Sequence, residues 1–442
     1  MSERRSYWVE NFGCRATQAD GAAVEADLSA RGLGQAGERA DADVVVVNTC
    51  TVTAEADRDA RQTIRRIHRD NPQAEILVTG CYAQRRPDEL NELPGVRWVI
   101  GNSHKPRIGD VVAPPASGLV SIENAQVAYH GGVLLSDIYQ QRELLTAPIL
   151  EAGQDRSRPN LKIQDGCNNL CTFCIIPSVR GYSRSARPEF VIDELRKLED
   201  RYPEVVLTGI NLGRWGRDLE GRPRFHQLLE RVLAETAVRK LRVSSVEPMD
   251  WTGDLLALMA REPRIAKHMH IPLQSGSDDT LKAMRRRYRV RHYADRLARA
   301  RALMPDASIG ADVMVGFPGE TDAHFEQTRS FIEEAPLTYL HVFTFSAREG
   351  TPAATMPGQV PKAVKKERNR ILRELIAQKH ERFERSLAGK RVHAVTLDRR
   401  KPGATAALTD NFLHVEIPGA EIPAARMVEV ELNGDGRACL VH

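Results

Sequence analysis

The chain has no run approaching 18 apolar residues, and no apolar segment follows its opening Met1-Ser2-Glu3-Arg4-Arg5. A membrane-spanning helix needs about 20 mostly apolar residues in a row, and a secretory leader needs a shorter apolar stretch of its own. Neither pattern is present, so the protein is expected to be soluble and cytoplasmic. It also lacks a strong charge of one sign. A formal net charge of +4 permits a nucleic-acid partner but does not demand one. Cysteine is scarce and odd in number, at seven, and without a secreted context this argues against a disulfide framework and for metal or redox use. The turn Gly316-Phe317-Pro318-Gly319-Glu320 lacks the Lys-Ser/Thr of a P-loop, which excludes ATP binding there. The most informative absence is a fourth cysteine. After Cys167, Cys171 and Cys174, none follows until Cys439, whereas a structural zinc site normally completes four ligands locally.

The trio itself has the spacing C-x3-C-x2-C, within Gln164-Asp165-Gly166-Cys167-Asn168-Asn169-Leu170-Cys171-Thr172-Phe173-Cys174. Three clustered thiolates suit zinc or an iron–sulfur cluster, and a cluster held by only three leaves one iron open for a ligand, as a catalyst requires. At 442 residues, two to four domains are expected, and 42% apolar residues suffice for packed cores.

Toward the N-terminus, short apolar runs (Tyr7-Trp8-Val9, Val44-Val45-Val46-Val47, Ile76-Leu77-Val78, and 96–100) alternate with helical patterns at 16–29 and 54–69. The continuous β-branched run reads as a buried parallel strand, and the alternation implies a doubly wound α/β sheet. Cys14, Cys50 and Cys81 each follow one of these strands. In an open parallel sheet the strand carboxyl ends share one edge, so these three can converge into a second three-thiolate site.

Proline and glycine punctuate 103–160, where a linker with some local order is expected. Strand candidates then recur at 161–164, 205–208, 241–245, 268–273, 309–315 and 340–345, separated by helical patterns at 189–199, 225–233, 255–261, 293–303 and 324–334. Six β/α units fit a full or partial barrel, whose sites gather at the strand carboxyl ends. The cysteine loop follows the first of them. Gly209, Asn211, Ser245, Glu247 and Gln274 follow later ones, although glycine and serine at such positions also serve as turns and caps. The basic run Arg285-Arg286-Arg287-Tyr288-Arg289 with Arg291 reads as a solvated helix end, and His268 and His270 as strand residues rather than metal ligands. After a basic helix at 362–384, alternating patterns at 392–397, 412–417 and 427–432 predict a small β-barrel, with Cys439 as a packing residue.

Cys167-x3-Cys171-x2-Cys174 after a first barrel strand resembles the signature of radical S-adenosylmethionine (SAM) enzymes. Together with Cys14, Cys50, Cys81 and Pro177-x2-Arg180-Gly181, it narrows the resemblance to the radical SAM methylthiotransferase family over nearly the whole chain. Leu161-Lys162-Ile163-Gln164-Asp165-Gly166-Cys167 and Ser244-Ser245-Val246-Glu247-Pro248 look most like the MtaB type. The isopentenyladenosine-specific type usually has Thr-Ser-His-Pro at the latter position.

The resemblance implies an auxiliary-cluster domain at 4–113, a linker at 114–152, a radical SAM core at 153–385 and a TRAM-like RNA-binding domain at 386–442, with Thr409-Asp410-Asn411-Phe412 resembling the TRAM turn. It implies two 4Fe-4S clusters. Cys167, Cys171 and Cys174 would hold the one that binds SAM, and Cys14, Cys50 and Cys81 the one that carries the sulfur to be inserted. SAM contacts are expected from Gly209, Asn211, Ser245, Glu247 and Gln274. The implied reaction places a methylthio group on carbon-2 of N6-threonylcarbamoyladenosine at position 37 of tRNA. One SAM would generate the radical and another would supply the methyl group. An unactivated aromatic C–H bond has no acidic proton, which makes a radical route reasonable. Implied partners are tRNA, a reductant such as flavodoxin or ferredoxin, and a sulfur donor, with no membrane. Alternative substrates are isopentenyladenosine in tRNA or a ribosomal-protein aspartate. The alternative of another class is a non-catalytic iron–sulfur RNA-binding protein.

Overall fold

The structure, a computed structural model, describes residues 5–114, 122–142, 144 and 157–441. The chain divides into two compact units. One comprises 1–153, 164–169 and 174–185, and the other 154–163, 170–173 and 186–442.

The first unit contains a six-stranded, all-parallel sheet of β1 (Ser6–Asn11), β2 (Gly34–Gln35), β3 (Val44–Thr49), β4 (Glu75–Gly80), β5 (Val96–Gly101) and β6 (Gly132–Leu134), in the order β2-β1-β3-β4-β5-β6. All six residues of β3 are buried, as its unbroken valine run requires when both faces are covered. Side chains alternate between two cores. Val44, Val46 and Leu77 pack with Val24 and Leu28 of the helix Arg15–Ala30. Val45, Val47 and Val78 pack with Ile64 and Ile67 of the helix Ala54–Asp70. Helices therefore lie on both faces, as expected of a doubly wound sheet.

The stretch 114–152, expected to be a linker with some local order, has secondary structure where it is described. It holds the helix Ile122–His130, and β6 pairs with β5. Gly131-Gly132 leads into this strand. Both take positive φ, so they turn the chain into a strand rather than out of structure. Residues 115–121, 143 and 145–152, within the same stretch, lie outside the described residues.

In chain order there follow β7 (Asn160–Lys162), β8 (Gln164–Asp165) and β9 (Arg184–Ser185). The short antiparallel pair β8–β9 belongs to the first unit. The second unit has β10 (Val205–Thr208) and β11 (Leu241–Val243) in a parallel sheet with β7, ordered β11-β10-β7. A second parallel sheet, β12 (His268–His270), β13 (Ser308–Val315) and β14 (Tyr339–Thr344), continues the sequence order. A bridge between Leu241 and Ile265, and the Val246 amide donating to the His270 carbonyl at 3.1 Å, connect the two sheets. The result is a six-strand partial barrel. The expected strand 268–273 is shorter than predicted, because Pro272 cannot donate to the ladder.

A 25-residue helix, Lys362–Ser386, leads into β15 (Arg391–Lys401), β16 (Ala404–Thr409), β17 (His414–Pro418), β18 (Met427–Leu432) and β19 (Ala438–Leu440). These strands form an antiparallel sheet ordered β17-β16-β15-β18-β19, and the Glu416 amide donating to the Gly436 carbonyl at 2.9 Å nearly closes it. The turn at 409–412 is docked inward. Arg242 donates to the carbonyls of Thr409 (2.9 Å) and Asp410 (3.2 Å), and the Phe412 ring stacks on His268 with centroids 4.0 Å apart. Cys439 departs from expectation. Ala438 takes the inward position on β19, and the alternation of the strand leaves Cys439 exposed. Among the described residues no helix is long and apolar enough to cross a membrane.

Candidate functional site

Cys14, Cys50 and Cys81 follow β1, β3 and β4, three adjacent strands of one parallel sheet. Cys14 caps the helix Arg15–Ala30, and Cys81 opens the helix Cys81–Arg85. Two glycines let the backbone close in. Gly13 has φ +100°, and a Cβ there would lie 2.7 Å from the Cys50 Cβ. Gly80 has φ +99°, and its Cβ would meet the Thr49 carbonyl oxygen at 2.3 Å. Burial, reinforced by Cys81 and then Cys14, pushes the Cys50 thiol up to about 12, with Arg180 opposing. Cys81 and Cys14 thus lie near enough to Cys50 to bear on its charge.

Beneath them is a polar network the sequence reading did not foresee. The Arg180 guanidinium is buried and donates to both carboxylate oxygens of Asp165 (3.0 and 3.1 Å) and to Asp20 (3.0 Å). Lys105 also reaches Asp20 (2.9 Å), and Asn102 donates to the Cys81 sulfur (3.6 Å) and the Val179 carbonyl (2.8 Å). Burial works against the Arg180 charge. Asp165, Cys81, Asp20 and Cys14 outweigh it and hold the group well above its ordinary value. Arg180 lies in the Pro177-x2-Arg180-Gly181 motif, so its position was legible but its role was not. Asp20 carried no signal, since an acidic residue on an amphipathic helix reads as solvated.

The sulfurs of the local trio are half-buried. Asp165 accepts from the Gly166 amide (2.8 Å), and Gln164 donates to the Asp165 and Gly166 carbonyls (both 2.9 Å) and to Ser183 (3.0 Å), which fixes the start of the loop. Gly166, at φ +69°, packs so closely that a Cβ would strike the Tyr182 carbonyl oxygen at 2.0 Å. The Cys167 sulfur accepts from the Asn169 amide at 3.4 Å, and the Cys171 sulfur accepts from Arg286 Nη1 at 3.2 Å. Amide and guanidinium donors aimed at sulfur suit thiolate ligands.

The other predicted residues lie at the carboxyl ends of the barrel strands. Gly209 and Asn211 follow β10, and Asn211 is buried. Ser245 Oγ lies 2.5 Å from His270 Nδ1. Glu247 pairs with Arg286. Gln274, at φ +65°, donates its amide to the Asp312 carbonyl (2.8 Å). His268 and His270 are strand residues, as expected; His268 Nε2 lies 2.7 Å from the Tyr339 hydroxyl. The basic run is solvated at Arg285, Arg287 and Arg289, but Arg286 breaks the expectation with a side chain only 4% exposed. Among the described residues no group of three or more His, Cys, Asp or Glu side chains is placed to hold a single metal ion.

Residues 161–332 match the radical SAM superfamily, and residues 6–101 match a family described as uncharacterized protein family UPF0004. The chain is 38% identical to the threonylcarbamoyladenosine tRNA methylthiotransferase MtaB of Bacillus subtilis, over 88% of this chain and 85% of that one. The chain belongs to the radical SAM methylthiotransferase family. The MtaB of Rickettsia prowazekii is 36% identical, over 92% of this methylthiotransferase and 90% of its own length. The tRNA-2-methylthio-N(6)-dimethylallyladenosine synthase of Thermobifida fusca is 34% identical, over 98% and 87%. Among solved structures, the radical SAM methyltransferase TsrM of Kitasatospora setae matches with TM-score 0.55 at 14% identity, over 79% of this chain and 77% of that one, a likeness of fold alone. Membership in the radical SAM superfamily implies a 4Fe-4S cluster and SAM, and the family is one of enzymes that transfer sulfur-containing groups.

Proposed function

We propose that this enzyme methylthiolates carbon-2 of N6-threonylcarbamoyladenosine at position 37 of tRNA, with two 4Fe-4S clusters, each held by three thiolates. The observation that carries this reading is the presence of two separate cysteine trios, each with donors or cations beside its sulfurs and neither with a fourth thiolate. The named activities of the MtaB relatives support the nucleoside. When bound, the clusters and SAM supply one-electron reduction, hydrogen abstraction, and the sulfur and methyl groups.

The residues of the chain do the rest. Cys167, Cys171 and Cys174 bind the cluster that takes SAM. The amide of Asn169 and the guanidinium of Arg286 stabilise negative charge on the Cys167 and Cys171 sulfurs. Cys14, Cys50 and Cys81 bind the second cluster, in a burial that limits water at two of the three sulfurs. Arg180 keeps a fixed positive charge near Cys14 and Cys81. Gly209, Asn211, Ser245 and Gln274 line the strand ends where SAM is positioned. Glu247 acts there through Arg286. The domain at 386–442 would contact tRNA, and the partners would be a reductant such as flavodoxin or ferredoxin and a sulfur donor, all in the cytoplasm.

Mass spectrometry of tRNA nucleosides from a deletion strain tests this. Loss of methylthio-threonylcarbamoyladenosine is expected. Loss of the methylthio-isopentenyl nucleoside instead would move the substrate to the type represented by the Thermobifida fusca relative, and unchanged levels of both would refute a tRNA substrate.

A further inference from the structure

Arg286 reaches Cys171 because of how a helix ends. The helix Asp278–Ala283 stops, Arg285 takes φ +56°, and the Arg286 amide donates back to the Leu281 carbonyl at 2.8 Å. A left-handed residue at a helix end reverses the chain in this way. The reversal turns one guanidinium of a solvated basic run inward, and that guanidinium is then fully engaged. Nη1 donates to the Cys171 sulfur (3.2 Å), Nη2 pairs with Glu247, and Nε donates to the Tyr288 hydroxyl (3.2 Å). Tyr288 is anchored in turn, its hydroxyl 2.7 Å from the Leu273 carbonyl oxygen, and its ring lies 5.0 Å from the guanidinium carbon. With all three faces occupied in a buried setting, the cation cannot swing away from the sulfur.

We propose that Arg286 tunes the cluster held by Cys167, Cys171 and Cys174, raising its reduction potential through the hydrogen bond to the Cys171 sulfur, while Glu247 limits the rise from the far side of the guanidinium. The inference rests on those three cysteines being the cluster ligands. One-electron reduction adds negative charge to a cluster. A charged donor at a ligand sulfur stabilises that added charge, and hydrogen bonds to sulfur and local charge are among the features that set cluster potentials. Burial strengthens the effect, because solvent screens such a donor poorly there. A guanidinium is not deprotonated in a protein, so the Arg286 charge is constant under working conditions. Arg286 is thus a positioning residue that acts on the cofactor through Cys171, and Glu247 is part of the same device.

The test uses the full chain with Cys14, Cys50 and Cys81 changed to Ala, so that only one cluster can form, reconstituted anaerobically. Iron per chain and the midpoint potential, read by electron paramagnetic resonance during dithionite titration, are measured with and without Arg286→Gln, Arg286→Lys and Glu247→Gln. About four irons per chain are expected throughout. The potential should fall in Arg286→Gln, recover in part in Arg286→Lys, and rise in Glu247→Gln. Opposite shifts from the two partners are not produced by a purely structural role. Four irons with unchanged potentials overturn the proposal. If Arg286→Gln loses its iron, Glu247→Gln decides alone, and no rise there overturns it. A background protein that binds no four-iron cluster refutes the ligand assignment itself, and the proposal with it.

Discussion

The two cysteine trios proposed as cluster ligands are assembled by opposite routes. Cys167, Cys171 and Cys174 are brought together by chain proximity, on a loop whose thiols are half-buried. Cys14, Cys50 and Cys81 are far apart in the chain and share one sheet edge only because β1, β3 and β4 are adjacent and parallel; Cys50 and Cys81 are buried. Each trio has an engaged arginine nearby, but the supports differ. Arg286 is held by one carboxylate and a tyrosine and donates directly to a sulfur. Arg180 is held by two carboxylates and sits below the cysteines as a fixed charge. A local trio needs little from the fold to exist. A dispersed trio depends on strand register, on two glycines and on a buried ion network.

That contrast predicts different responses to damage. The largest effect should come from replacing Cys167, Cys171 or Cys174 with Ala, which abolishes 5′-deoxyadenosine formation from SAM and takes reconstituted iron from about eight toward about four per chain. Replacing Cys14, Cys50 and Cys81 together should also leave about four irons, but 5′-deoxyadenosine should still form while the methylthiolated product is lost. If both sets abolish 5′-deoxyadenosine equally, the division of labour between the trios is wrong.

Next in size is Arg180→Gln. Removing one partner of a buried ion network leaves Asp165 and Asp20 undercompensated, at a cost of about 3–5 kcal/mol, to be read as a fall in denaturant midpoint. Gly13→Ala should cost about 1–3 kcal/mol from strain at positive φ. It should also deplete iron from the dispersed site, since its Cβ would meet Cys50, while a Cys167–Cys174 cluster formed in the same protein keeps its spectrum. The smallest effect is expected for Phe412→Leu, which removes the stack on His268 for about 0.5–1.5 kcal/mol and should leave iron content unchanged. A large iron loss there would mean the turn at 409–412 supports a cluster after all.

Much of the architecture was legible because hydrophobic periodicity is a local property. The helix read at 54–69 appears as Ala54–Asp70, and the strand read at 427–432 appears as Met427–Leu432. What escaped were elements with too few residues to show a period. β2, with two residues, and β6, with three, are strands only because a neighbour supplies their hydrogen bonds. At the candidate site, cysteines stand out by type and spacing. Asp20, Lys105 and Asn102 do not, since nothing in sequence separates a buried charge from a solvated one.

By itself the sequence determined the C-x3-C-x2-C trio, the strand-end positions of three more cysteines, the α/β alternation and the family, all carried by residue identity and spacing. Only the tertiary structure decided which charges are buried beside those sulfurs. It turned Arg286 out of a basic run toward Cys171 and set Arg180 between Asp165 and Asp20. The reason is physical. An arginine keeps its charge in either setting, and whether it faces water or a cysteine sulfur depends on backbone reversals and partners contributed by distant segments.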